Sequence, residues 1–75
     1  MKHELRDLYI TFENGDELIQ AERYFTENTQ FMGEIDIENN QLVFPVEYDI
    51  LCDFIKRLTD ELYALNIQEF YFESY

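Results

Sequence analysis

The sequence predicts an α+β domain with the ferredoxin-like element order β-α-β-β-α-β. Three observations support this fold class: alternating apolar and polar residues near both ends of the chain, a hairpin-like pair of segments in the middle, and two amphipathic helical segments between them. Right-handed crossovers would place both helices on one face of a four-stranded antiparallel sheet.

The central hairpin spans residues 31–47 and reads FMGEIDIE, NN and QLVFPVE. Asparagine tolerates the positive φ values of a tight turn, so Asn39 and Asn40 predict a two-residue loop. Counting outward from that loop, Ile35 faces Phe44, and the apolar residues of both strands share one face. A slip of one residue would turn the carboxylates toward the core, so the pattern specifies the register.

The first strand and first helix are predicted before this hairpin. Residues 1–6 are polar and are expected to be loosely ordered, whereas the alternation from Leu8 to Phe12 indicates a half-buried strand. Asn14 is a suitable helix N-cap, and Glu17 stands at the capping-box position. The residues expected on the buried face of this helix are Leu18, Ala21 and Phe25.

The second helix and last strand follow the hairpin. The helix is predicted from about Tyr48 to Leu65, and Asn66 is a suitable C-terminal stop. Its buried stripe comprises Leu51, Phe54, Ile55, Leu58, Leu62 and Leu65. The tail alternates again, with Phe70 and Phe72 on one side. One feature conflicts with the simplest strand order, because Pro45 would lie in a central strand and proline prefers strand edges and ends.

Length and composition predict one soluble domain, residues 1–75, in a reducing, cytoplasmic compartment. The chain has 75 residues, 47% of them hydrophobic, which is enough for a core despite a net charge of −12. The single Cys52 precludes an intramolecular disulfide. No apolar leader or membrane-spanning segment is apparent in the sequence. The acidity disfavours direct binding of nucleic acid or of an anionic membrane.

The distribution of charge predicts a binding surface. No basic residue occurs between Arg23 and Lys56 or after Arg57, so the last three strands carry carboxylates without a cation among them. The uncovered sheet face would combine aromatic residues with acidic ones, as in a protein-binding patch with a polar rim. A solvated face that carries charge only for solubility is the alternative interpretation. The candidate partner-binding residues are Tyr9, Glu34, Asp36, Glu38, Glu69, Tyr71 and Glu73.

Several other chemistries are disfavoured by the sequence. RNA-recognition modules share this element order, but their basic, aromatic sequence pattern is absent here. Cys52 lacks a neighbouring base, since the only histidine is His3, and is expected to be a half-buried helical residue. Alternate carboxylates on a straight strand converge poorly on a metal ion. No pair of acids is singled out for catalysis, and no phosphate loop, nucleophile elbow or zinc-ligand spacing is present.

The function hypothesis is therefore a non-catalytic module without a cofactor. Its acidic face would occupy a basic surface of another protein, and in the sharper form it would mimic nucleic acid and inhibit a DNA- or RNA-binding protein. The alternative is a structural or regulatory homodimer or larger homo-oligomer that associates through the edge strand near Phe70 or through a helix.

Overall fold

Four strands and two helices account for most of the chain in a computed structural model, which describes residues 4–74. The elements are β1 (Leu5–Phe12), α1 (Gly15–Asn28), β2 (Glu34–Asp36), β3 (Gln41–Glu47), a short 3₁₀ turn (Tyr48–Ile50), α2 (Leu51–Ala64) and β4 (Phe70–Ser74). The sheet is antiparallel throughout, with the strand order β2-β3-β1-β4. The predicted α+β class, with a four-stranded antiparallel sheet and two helices, is confirmed.

The core lies on one face of this sheet. The alternation predicted for β1 is confirmed, since Leu8, Ile10 and Phe12 are buried. Helices α1 and α2 add buried residues to the same cluster, so both helices cover this face. The buried core comprises Leu8, Ile10, Phe12, Leu18, Ala21, Phe25, Leu42, Phe44, Val46, Leu58, Leu62 and Ile67.

The strand β1 begins earlier than the sequence indicated. Leu5 and Arg6, expected to be loosely held, pair with Glu47 and Val46 of β3. The rest of that expectation, residues 1–3, lies outside the described residues. The early start makes β1 the longest strand, and half of it, Leu8–Thr11, is paired on both sides.

The hairpin register predicted from the sequence is wrong by two residues. Ile35 pairs with Leu42 rather than with Phe44, and the loop contains four residues, Ile37–Asn40. The side chain of Asp36 accepts hydrogen bonds from the backbone N–H of Asn39 at 3.3 Å and from its side-chain amide at 2.9 Å. Of the two loop asparagines, Asn40 has a positive φ, 54°. Because the shift is even, every side chain that remains within the two strands keeps its predicted face, whereas Ile37 and Glu38 move into the loop.

Pro45 lies within β3 without breaking the ladder to β1. The N–H of Tyr48 donates to Glu4 O at 2.7 Å, and the N–H of Phe12 donates to Asn40 O at 2.8 Å. Backbone groups alternate in direction along a strand, so even-numbered residues of β3 bond β1 and odd-numbered ones face β2. Pro45 therefore faces the chain that precedes Glu34, where β2 has not yet begun. The missing N–H explains why β2 is short.

Capping residues set the helix ends largely as predicted. Asn14 Oδ1 accepts from the N–H of Glu17 at 2.9 Å, which confirms the N-cap of α1, whereas Glu17 Oε1 has no hydrogen-bond partner. At the end of α2, the N–H of Ile67 donates to Leu62 O at 3.0 Å and that of Asn66 to Tyr63 O at 2.9 Å. This pair of bonds is a Schellman motif, with Asn66 in the left-handed conformation at φ 65°.

Four phenylalanine rings join the helices to the hairpin in a closed cycle. Phe25 of α1 contacts Phe31 and Phe44 with ring centroids 5.9 and 6.1 Å apart, and Phe54 of α2 contacts the same two rings at 4.9 and 5.6 Å. All four contacts are edge-to-face, the geometry that aromatic rings prefer. We call these residues the phenylalanine cycle.

The helices also contact each other directly. Tyr24 Oη donates a hydrogen bond of 2.6 Å to Glu61 Oε2, and this bond raises the pKa of the Tyr24 hydroxyl. Of the predicted α2 stripe, Leu58 and Leu62 are fully buried, while the remaining members pack partly buried against the core.

Gly33 is required by the phenylalanine cycle. A Cβ at this position would lie 2.7 Å from Cε1 of Phe44, well inside contact distance. We expect Gly33→Ala to lower the free energy of unfolding by about 1–3 kcal/mol, the range typical of overpacking a core. Urea denaturation monitored by circular dichroism measures this change. Gly15→Ala is the matched control, because its Cβ would lie 3.8 Å from Asn40 Oδ1, and its stability should equal or exceed wild type.

Asn66 provides a second test of the fold. Its positive φ is unfavourable for residues with a Cβ, less so for asparagine. We expect Asn66→Ala to lose about 1 kcal/mol of unfolding free energy and Asn66→Gly to lose none. Equal stability of the two variants in urea would contradict a left-handed cap at this position.

Candidate protein-binding face

The face of the sheet opposite the helices brings aromatic and acidic side chains into register. One cross-strand row runs Glu34, Val43, Tyr9, Glu73 from β2 to β4. The next row runs Asp36, Gln41, Thr11, Tyr71. We call this surface the open face; it comprises Leu5, Asp7, Tyr9, Thr11, Glu34, Asp36, Gln41, Val43, Pro45, Glu47, Tyr71 and Glu73.

Five of the seven predicted site residues lie together on this face. Tyr9, Glu34, Asp36, Tyr71 and Glu73 occupy the two rows: Tyr9 lies on the central strand β1, the acids lie on the outer strands β2 and β4, and Tyr71 shares β4 with Glu73. Inter-strand spacing places β2 and β4 about 14 Å apart across the sheet. The two rows therefore have an acidic margin on β2 and, through Glu73, another on β4, with uncharged side chains between them, while Asp7 and Glu47 add carboxylates on the central strands.

The other two predicted residues lie outside the strands. Glu38 is in the four-residue loop, exposed at the tip of the hairpin, as a result of the shifted register. Glu69 precedes β4 and lies beside Glu13 rather than within a row. The structure thus separates these two glutamates from the paired rows.

A shallow groove crosses the β2 side of the open face. Its volume is about 440 Å³, and Pro45 and Val43 form its apolar floor with Tyr9. Asp7, Glu34 and Asp36 also line it. The gap arises because β2 begins only at Glu34, which pairs with Val43, whereas β3 continues past Pro45. An exposed apolar floor with carboxylates around it is suited to a long cationic side chain, whose stem is apolar and whose end is charged.

The basic side chains within residues 4–74 lie away from the open face. Arg57 of α2 stacks over Phe31 at 5.1 Å from the ring centroid, and Arg6 lies over Tyr48 at 4.9 Å. Arg6 also pairs with Glu4 at 3.0 Å. Arg23 and Lys56 are on the helices. Cation–π contacts account for two of these positions, and none of the four side chains projects from the open face.

Asp7 and Gln41 are two of the open-face residues that were not predicted from the sequence as site residues. Asp7 shares the alternation of Tyr9 and lines the groove, but it stood in the region between the polar end and the predicted strand. Gln41 donates from Nε2 to Thr11 Oγ1 at 3.0 Å, which links β3 and β1 at the centre of the second row. The face on which Asp7 lies could be predicted from the alternation along β1. The hydrogen bond between Gln41 and Thr11 could not be predicted without knowing that β3 pairs with β1.

The cysteine, the histidine and possible metal ligands are the other potential site features of the chain. Cys52 is exposed on α2 rather than half-buried, and His3 lies outside those residues. Within residues 4–74, no group of three or more His, Cys, Asp or Glu side chains is placed to hold a metal ion. No helix in the described part of the chain is long and apolar enough to cross a membrane.

Comparison with known proteins gives no relative: no family model, no curated protein and no solved structure matches the chain.

Glu13 and Glu69 form a carboxyl pair at the end of β1 that approaches the start of β4. A side-chain hydrogen bond from this pair, together with the charge of Glu69, raises the pKa of Glu13. The raised value means that deprotonating Glu13 is harder in the folded chain than in the unfolded one. The pair is favourable at pH values below the ordinary pKa of 4.5, and this contribution is lost as the pH rises through the raised pKa.

We expect Glu69→Gln to raise the unfolding free energy at pH 7 and to leave it nearly unchanged at about pH 3, where Glu13 is protonated. Thermal denaturation at the two pH values and low ionic strength measures the difference, which should be small because both groups are exposed. Glu38→Gln is the control, because it removes the same charge from the hairpin tip. Equal effects of the two variants at pH 7 would assign the change to net charge instead of to the pair.

Proposed function

We propose that this protein is a non-catalytic, acidic protein-binding module whose open face occupies a basic surface of another protein. In its sharper form the proposal is that the open face mimics nucleic acid and masks the phosphate-binding surface of a DNA- or RNA-binding protein. The observation that carries this proposal is the register of the open face, which aligns acids of both outer strands around the central tyrosine Tyr9. The proposal further takes the fold as ferredoxin-like and the protein as cytoplasmic.

The spacing of the acids supports mimicry. Alternate residues on a strand are separated by about 6.5–7 Å, so Glu34 and Asp36 form a regular line of charge along β2. Glu73 contributes to the second margin on β4, about 14 Å away. Nucleic acids likewise present regularly spaced charges along each strand. A surface of Lys and Arg side chains that fits phosphates can therefore contact carboxylates at comparable positions.

The apolar and aromatic side chains of the open face support binding of protein rather than of solvent ions alone. The groove places Val43 and Pro45 beside Tyr9 of the central strand, and Tyr71 on β4 is 58% exposed. Tyrosine contributes large contact area at low conformational entropy, and aromatic residues are enriched in protein interfaces whose rim is polar.

The proposal is tested by affinity capture from lysate at low salt, elution with a salt gradient, and purification of the protein that elutes. We expect a basic nucleic-acid-binding protein whose retention falls steeply with ionic strength. The purified partner should lose its nucleic acid when this protein is added. Retention without any such displacement would contradict mimicry, and capture that is insensitive to salt would contradict an electrostatic interface.

The structure determines which acids to reverse. Asp36 holds the hairpin loop through Asn39, so its replacement would change the fold as well as the charge. Glu34→Lys alters the groove without removing such a bond, and we expect it to weaken partner binding at least about tenfold through loss of close charge pairs. Glu27→Lys is the matched control, because Glu27 is exposed on α1, away from the open face. Equal loss of affinity in both variants would assign binding to net charge rather than to the open face.

A further inference from the structure

The two edges of the sheet differ in how well they are protected. The β2 edge has three residues and ends where Pro45 prevents further pairing. The β4 edge has five, Phe70–Ser74, and within that strand there is no proline, no basic residue and no bulge in its pairing with β1. Natural sheets usually protect an exposed edge with such features, because its unpaired backbone groups can accept another strand.

The direction of the backbone groups on β4 follows from the ladders. Since even-numbered residues of β1 bond β3, its odd-numbered residues, Tyr9 and Thr11, bond β4. Their partners are Glu73 and Tyr71. The N–H and C=O groups of Phe70, Phe72 and Ser74 therefore point away from the sheet, and no residue within 4–74 bonds them. A second strand would satisfy all of these groups.

We propose that β4 pairs antiparallel with β4 of a second copy of this chain, about a two-fold axis through Phe72. In this register Phe72 opposes Phe72, Phe70 opposes Ser74, and Tyr71 opposes Glu73 of the other copy. The three outward-facing residues of each chain then form about six backbone hydrogen bonds across the interface, the number that such pairs exchange. Every residue of the strand Phe70–Ser74 is paired.

Charge selects this register over its neighbour. An axis through Tyr71 would set Glu69 directly opposite Glu73 of the other copy, and like charges directly opposite each other are destabilising. A shift of the pairing by one residue would turn one copy over, so that its helix-covered face would be continuous with the open face of the other copy. The axis through Phe72 avoids both conflicts, so the strand is self-complementary in one register.

The resulting assembly has a defined shape. A two-fold axis normal to the sheet keeps the helices of both copies on the same side and joins the two open faces into one continuous surface. The pairing leaves Glu34 and the groove free, so the dimer is compatible with the proposed partner binding but does not depend on it. Because each chain carries a charge of −12, added salt should strengthen the dimer, the opposite of its effect on a basic partner.

The first test removes an outward N–H without disturbing the ladder to β1. Ser74→Pro deletes one such donor from each copy, and proline is tolerated where a strand N–H faces outward. We expect the dimer seen by sedimentation equilibrium to weaken about tenfold or more, through loss of two hydrogen bonds. Ser74→Ala keeps the N–H and should dimerise like wild type. A monomer at the highest soluble wild-type concentration, or a dimer equally stable in both variants, would overturn the proposal.

The second test reports the register. Tyr71 is exposed, so its replacement should leave the fold intact, as circular dichroism will verify. With the axis through Phe72, Tyr71→Lys places a cation opposite Glu73 in both halves of the interface and should strengthen the dimer about three- to tenfold. Tyr71→Glu should weaken it by a similar factor. Weakening by the lysine would indicate lysine opposite lysine, the neighbouring register, and would overturn the proposed one.

Discussion

The phenylalanine cycle is the interaction on which the rest of the structure depends. Phe25, Phe31, Phe44 and Phe54 come from α1, the segment after it, β3 and α2, so one set of ring contacts fixes both helices against the hairpin. The close approach of Gly33 to Phe44 brings the chain entering β2 into the same contact. Edge-to-face rings constrain orientation as well as distance, which gives a small domain more definition than aliphatic packing alone.

This packing also determines the surface chemistry. Strand side chains alternate between two faces, so placing Leu8, Ile10 and Phe12 against the helices commits Tyr9 and Thr11 to the opposite side. The same alternation in β2 and β4 places their glutamates beside those residues. The basic side chains of residues 4–74 lie away from the open face, and two of them stack on aromatic rings. The acidic character of the open face is thus a consequence of how the core is ordered.

Periodicity predicted the elements well, because burial enforces it. The stripe of α2, the alternation of β1 and the cap at Asn66 were all readable, since each depends on local geometry or on a single buried face. The length of the hairpin loop could not be predicted from the sequence pattern. The side chain of Asp36 bonds Asn39 and makes a four-residue loop, which removes Glu38 from β2. The length of β2 depends on the position of Pro45 opposite the start of that strand. The Glu13–Glu69 pair joins residues far apart in sequence. Neither feature could be predicted without knowing which strands pair.

The central claim is that the open face, and not a helix, contacts a basic partner. The most direct measurement is a ¹H–¹⁵N NMR titration of the labelled protein with the purified partner at low salt. We expect the shifted amides to lie on the strands, around Tyr9, Glu34, Val43 and Glu73, and to return to their free positions as salt is added. Shifts confined to α1 and α2, or a pattern unaffected by salt, would contradict it.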